Sequence, residues 1–192
     1  MTSALRTAVI VHGMPLRHMY FDPATPSPSN YNWIPWLQKA LAMNDVLAQT
    51  PEMPRPFEPA FDDWSALFER VEIGPDTSLI GHSGGGGFLV RWLSARPAVR
   101  VRKVILVAPW LDPRRERTGS FFDFTIDPGL AARCGEVVIF HSDNDDPTIH
   151  ESVRRLRAAL PTASYREFHL GHFSHYDMPS PEFPELLEEI LR

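Results

Sequence analysis

Short apolar runs alternate along this chain with stretches whose apolar residues recur every three or four positions. Residues 7–11 form an apolar run that predicts a fully buried strand ending at the turn His12-Gly13. Further strands are expected over 45–49, 77–80, 103–107, 137–140 and 165–168, starting near Asp45, Thr77, Lys103, Val137 and Tyr165. Between them, Trp33, Trp36, Leu37, Ala40 and Leu41 fall at helical spacing, as do Trp64, Leu67 and Phe68 within 61–71. Phe88, Leu89, Trp92 and Leu93 give a third helix over 85–95, and two more are expected over 151–160 and 181–191. Ser180 is the expected N-cap of the last, with Pro181 at its first position. Residues 108–128 show no period and read as an irregular segment carrying Phe121, Phe122 and Phe124. Strands alternating with helices predict an α/β fold: a mostly parallel sheet of about six strands with helices on both faces.

In such sheets ligands bind beyond the carboxyl ends of the strands. The residues to inspect are therefore those that follow each strand: His12-Gly13-Met14, 81–85, Pro109-Trp110, 142–146 and Gly171-His172.

The length of 192 residues suits one domain spanning 1–192. A hydrophobic fraction of 43% and a charged fraction of 22% place it among ordinary globular proteins. The net charge of -5 argues against nucleic acid or an anionic membrane as the main partner. Arg114, Arg115 and Arg117 read as a solvated loop. The single cysteine, Cys134, allows no internal disulfide and reads as a small buried residue. Residues 1–6 lack the apolar core of a signal peptide, and the run 8–11 is too short to cross a membrane, so a cytoplasmic location is expected. Prolines cluster at 23–28, 51–59 and 179–184, which marks these as loops and helix starts.

Gly81-His82-Ser83-Gly84-Gly85 matches G-x-S-x-G between a predicted strand and a predicted helix. The serine of that motif sits on a tight, strained turn, and glycine two positions away on either side leaves its hydroxyl clear. A serine needs a base, and on this arrangement the chain order is serine, acid, histidine. Downstream, Asp143, Asp145 and Asp146 follow one strand, and His172 follows the last. Position alone does not choose among the three acids. Asp146-Pro147-Thr148-Ile149 has the form of an acid ahead of a short apolar step, and proline restricts the residue before it to extended backbone. An oxyanion hole requires two N–H groups, expected from Gly84 and Met14, since Pro15 has none.

His82 is expected to point sideways into the fold. His169, His172 and His175, spaced by three on a strand and loop, do not converge on one ion, and no metal is expected. The helix-start glycines 84–87 cost about 1 kcal/mol each against alanine, so close packing of the helix start is expected to offset them. Trp110, Phe121 and Phe122 are the expected apolar substrate pocket.

The stretches 9–13, 33–37, 53–54, 63–64, 81–83, 145–147 and 171–173 run nearly the whole chain in order. Through them the chain resembles the small single-domain serine hydrolases of the α/β-hydrolase superfamily, the family of the retinoblastoma-binding serine hydrolase and its bacterial relatives. The resemblance implies a three-layer core without a cap domain, the strand order 2-1-3-4-5-6, and a triad of Ser83, Asp146 and His172, Asp-Asp-Pro placing the acid before proline. Two departures stand out: a long loop over 20–32 and the glycine run after the serine. Together these readings predict a carboxylesterase-type acyl hydrolase working through an acyl-enzyme on a small acyl substrate, with no cofactor. The rivals are a non-catalytic interaction module on the same fold and a triad enzyme cleaving an amide or a carbon–carbon bond.

Overall fold

A computed structural model describes residues 6–192; of the stretch 1–6 considered above, all but Arg6 lies outside the described residues. The elements follow in the order β1 (Arg6–Val11), α1 (Arg17–Tyr20), α2 (Ile34–Ala42), β2 (Val46–Gln49), α3 (Phe61–Phe68), β3 (Thr77–His82) and α4 (Gly84–Ser94). Then come β4 (Lys103–Val107), α5 (Leu130–Arg133), β5 (Val137–Ser142), α6 (Pro147–Ala159), β6 (Ser164–Phe168) and α7 (Pro184–Leu191). All six strands pair in parallel in the order β2-β1-β3-β4-β5-β6, as expected.

The central strands are rich in apolar residues because both faces are covered. Every residue of β3 and β4 is buried. Successive strand residues point to opposite faces. At the end of β3, Gly81 packs against Gly86 of α4, while the His82 ring meets the edge of Trp33, the residue that starts α2. Helices α4 and α2 therefore cover opposite faces. On the α4 face, Phe68 and Trp64 of α3 meet Phe88 edge-on at 5.3 Å each. On the other, Trp33 and Phe183 join the starts of α2 and α7.

The glycine run finds its offset in this packing. A Cβ on Gly85 would collide with the carbonyl oxygens of Val11 and His12, and one on Gly87 with that of Trp110. The helix start thus sits directly on backbone, which cannot move aside as a side-chain tip can. Gly85→Ala is expected to destabilise the fold by about 2 kcal/mol, or roughly 4–8 °C in Tm, readable by thermal melting. An unchanged Tm would show that the helix start can shift without cost.

Two helix starts differ from expectation. The last helix begins at Pro184, with Phe183 as its non-helical N-cap, not at Pro181. Pro184 disfavours helical backbone at the residue before it, and Ser180 instead accepts the Glu182 N–H in a local turn. Helix α6 starts at Pro147, earlier than expected, because Asp146 caps it and Pro147 occupies its first position.

Candidate active site

Ser83 joins β3 to α4 with φ 53° and ψ -123°, a conformation costly for a residue with a Cβ. Backbone hydrogen bonds on both sides hold it there. Its N–H donates to Val107 O, and its carbonyl accepts from Gly86, Gly87 and Trp110. Its side chain caps nothing, so the hydroxyl stands free at the helix start. Gly13 packs beside it, close enough that a Cβ there would lie 3.1 Å from the Ser83 Cβ.

Among the described residues, neither the Met14 N–H nor the Gly84 N–H has a hydrogen-bond acceptor. The first is aimed by His12. Its Nδ1 donates to Gly13 O at 2.7 Å, and its Nε2 accepts from Met53 N at 2.9 Å. Burial lowers the His12 pKa and keeps the ring neutral, which suits one donor and one acceptor nitrogen. With the Gly13 carbonyl turned to His12, the trans peptide turns the Met14 N–H away from it.

The three acids beyond β5 go to three partners. Asp143 pairs with His169 Nδ1 at 2.6 Å on the surface. Both carboxylate oxygens of Asp145 lie 3.1 Å from His172 Nδ1. Asp146 accepts from the N–H and hydroxyl of Thr148 at 2.7 and 2.6 Å, bonds that lower its pKa. The structure thus corrects the expected pairing of Asp146 with His172. Proline at 147 does fix the preceding carboxylate, but it fixes it onto the start of α6. The Asp145 side chain, 1% exposed, is the one turned inward.

His172 sits in a loop with left-handed backbone on both sides, Gly171 at φ 49° and Phe173 at φ 53°. For Phe173 such a conformation costs about 1–2 kcal/mol, offset by a buried ring stacked on Phe183 at 5.5 Å. His175 goes elsewhere, to Tyr31 Oη at 2.9 Å. Cys134 is buried, and burial pushes its thiol up to about 11, so it stays protonated.

Ser83 and His172 line two cavities together. One, of about 220 Å³, is largely apolar, walled by Met14, Met19, Tyr20, Tyr31, Ile34 and Tyr176. The other, of about 410 Å³, is more polar, with Trp110, Arg114, Arg117, Asp145 and Thr148 among its lining. Of the expected pocket residues, Trp110 lines the polar cleft and is tied there by its indole N–H to Thr148 Oγ1 at 3.2 Å. Phe121 lines neither cavity; it is core, 2% exposed and edge-on to Trp64 at 5.2 Å. Phe122 packs behind Trp110 and Gly87, outside both cavities. Part of the apolar wall, Tyr20 and Tyr31, comes instead from the long loop over 20–32, whose length marked it in the sequence; Met14, Met19, Ile34 and Tyr176 lie outside that loop. The basic cluster is exposed on a loop, as expected; the Arg117 guanidinium lies 5.2 Å above the Trp110 ring, and Arg115 pairs with Asp123.

A doubly covered parallel sheet, a strained serine between its third strand and the next helix, and a histidine beyond its last strand define an α/β-hydrolase. The family described as Serine hydrolase matches residues 25–181, and the chain belongs to that family as an enzyme. YdeN of Bacillus subtilis (strain 168), which carries a provisional hydrolase name, is 26% identical over 170 residues, covering 82% of this chain and 86% of its own. The crystal structure of the B. subtilis ydeN product superposes with a TM-score of 0.78 at 23% identity, over 97% of each chain. A bromoperoxidase from Bacillus anthracis shares the fold at a TM-score of 0.66 and 16% identity, over 97% of this chain and 91% of its own. Among the described residues no helix is long and apolar enough to cross a membrane.

Proposed function

We propose that the enzyme is a carboxylesterase-type acyl hydrolase with Ser83, His172 and Asp145 as its catalytic triad. The observation that carries this reading is the buried Asp145 carboxylate on His172 Nδ1, in a cleft shared with a serine whose hydroxyl is free. That contact fixes the neutral imidazole with its proton on Nδ1 and leaves Nε2 as a base. Ser83 Oγ attacks the ester carbonyl as His172 Nε2 takes its proton. Asp145 stabilises the imidazolium, and the Met14 and Gly84 N–H groups receive the oxyanion. The imidazolium then protonates the leaving alkoxide. A water, deprotonated by the same histidine, hydrolyses the acyl-enzyme and restores Ser83.

The two cavities divide the substrate between them. The apolar one, small by the standard of ligand pockets, suits a short acyl or aromatic acyl group. The polar one suits the alcohol, with Trp110 in its lining. An ester fits better than an apolar carbon–carbon substrate, because one side of the serine is polar.

A fluorophosphonate tests the assignment. It is expected to label Ser83 alone by peptide mapping, and short-chain p-nitrophenyl esters are expected to slow that labelling. Label on another residue, or none in folded protein, would overturn the reading.

A further inference from the structure

His82 is buried directly beside Ser83, with an edge at the apolar cavity, and the mechanism above gives it no task. Its Nε2 lies 2.9 Å from the carbonyl oxygen of His172, 90 residues away in sequence. A carbonyl only accepts, so Nε2 carries the hydrogen and Nδ1 the lone pair. Burial first, then the neighbouring His172, lowers the His82 pKa to about 3. The ring is therefore neutral at any working pH, and it does not compete with His172 as a base. Its place is set by the edge of Trp33 at 5.6 Å on one side and the His172 ring at 5.1 Å on the other.

The other backbone groups of the His172 loop are also held from outside the reacting atoms. Asn144, the residue before Asp145, accepts from Gly171 N at 2.9 Å. Asp177 accepts from His172 N at 3.1 Å and from Ser174 N at 3.3 Å. Of these bonds among the described residues, the His82 bond is the one that runs to the strand leading into Ser83. It links the residue before Ser83 to the carbonyl of the base itself, and so sets the separation of the two reacting groups. Resting on the triad reading above, we infer that His82 is a positioning residue, a neutral Nε2–H donor that holds the His172 backbone at a fixed distance from Ser83.

His82→Met and His82→Gln test this, because the two side chains match in length and only glutamine can donate. With a short-chain p-nitrophenyl ester, kcat of His82→Met is expected to fall about 10- to 100-fold with KM within about twofold, and His82→Gln to stay within about threefold of wild type. A kcat for His82→Met equal to wild type, or an equal loss in both variants, overturns the proposal. The wild-type protein supplies a second measurement that no folding failure affects. Imidazole 15N NMR is expected to show His82 protonated at Nε2; protonation at Nδ1 overturns the proposal. Fluorophosphonate labelling run in parallel separates the two readings. A labelled wild type with an unimpaired His82→Met removes the positioning role alone, whereas an unlabelled wild type removes the hydrolytic reading and the need for positioning with it.

Discussion

Replacing Asp145 by asparagine is expected to lower kcat about ten-thousand-fold, the loss seen for the equivalent change in a well-studied serine protease. The asparagine fits the same space, but its amide can donate to His172 Nδ1 and so supports the tautomer that places the proton on Nε2. That nitrogen can then no longer accept from Ser83. Folding should be intact by circular dichroism, since the buried volume is unchanged. Asp146→Asn is the matched control. Asparagine caps helices as well as aspartate does, so kcat should stay within about threefold of wild type, the cap being the only bond at risk. A larger loss at Asp146 than at Asp145 would return the acid to the position that its motif suggests.

Glu189→Leu is expected to cost the fold about 3 kcal/mol, or roughly 6–12 °C in Tm, without touching the active site. Glu189, 1% exposed on α7, holds Lys103 of β4 at 2.8 Å, Arg166 at 3.2 Å and Arg192 at 3.1 Å. Without it, Lys103 stays buried with only the half-exposed Glu136 as its carboxylate partner. Burial pushes the Glu189 pKa up, but hydrogen bonds and charges from Lys103, Arg192 and Arg166 outweigh it and lower the pKa overall. A depressed carboxyl pKa stabilises the fold above the ordinary glutamate value near about 4.3, and that contribution is lost as pH falls through the folded-state pKa. The wild type should therefore lose stability over that acid range more steeply than Glu189→Leu, by melts in a pH series. The double variant Lys103→Met, Glu189→Leu should regain much of the loss, as apolar replacements of buried ion pairs commonly do. Equal melting curves for Glu189→Leu and wild type would show the network to be inert.

The central strands were legible because both their faces are buried, so apolar runs such as Val104–Val107 stand out against any background. Their order was legible only through family likeness. Ser83 and His172 were legible from motif and strand-end position. Asp145 was not, because three acids crowd one loop and only the backbone direction after Ser142 sorts them. The clue lay in plain capping chemistry: an acid before a proline at a helix start is an N-cap signature, and it competes with a catalytic reading of the same residue. The apolar cavity was hidden because its wall gathers residues from separate segments, Met14, the loop over 20–32, Ile34 and Tyr176, with no shared period. The aromatic run at Phe121 looked like a pocket and is core, since periodicity marks an apolar residue without saying which neighbours bury it. Lys103 gave no sign that it is buried, its partner lying 86 residues away.

The parallel order of the sheet bears on how the molecule comes into being. The first strand must wait for the third, with Thr7 and Thr77 bonded across 70 residues, before it is flanked on both sides. Sheets built from such distant pairings fold slowly, because the chain closes large loops before the contacts reward it. During synthesis the strained serine turn emerges long before β6, and His172 follows β6. On the ribosome, where chains emerge N-terminus first, the proposed triad would therefore have its nucleophile before its base. It would be complete only once β6 and His172 have left the exit tunnel.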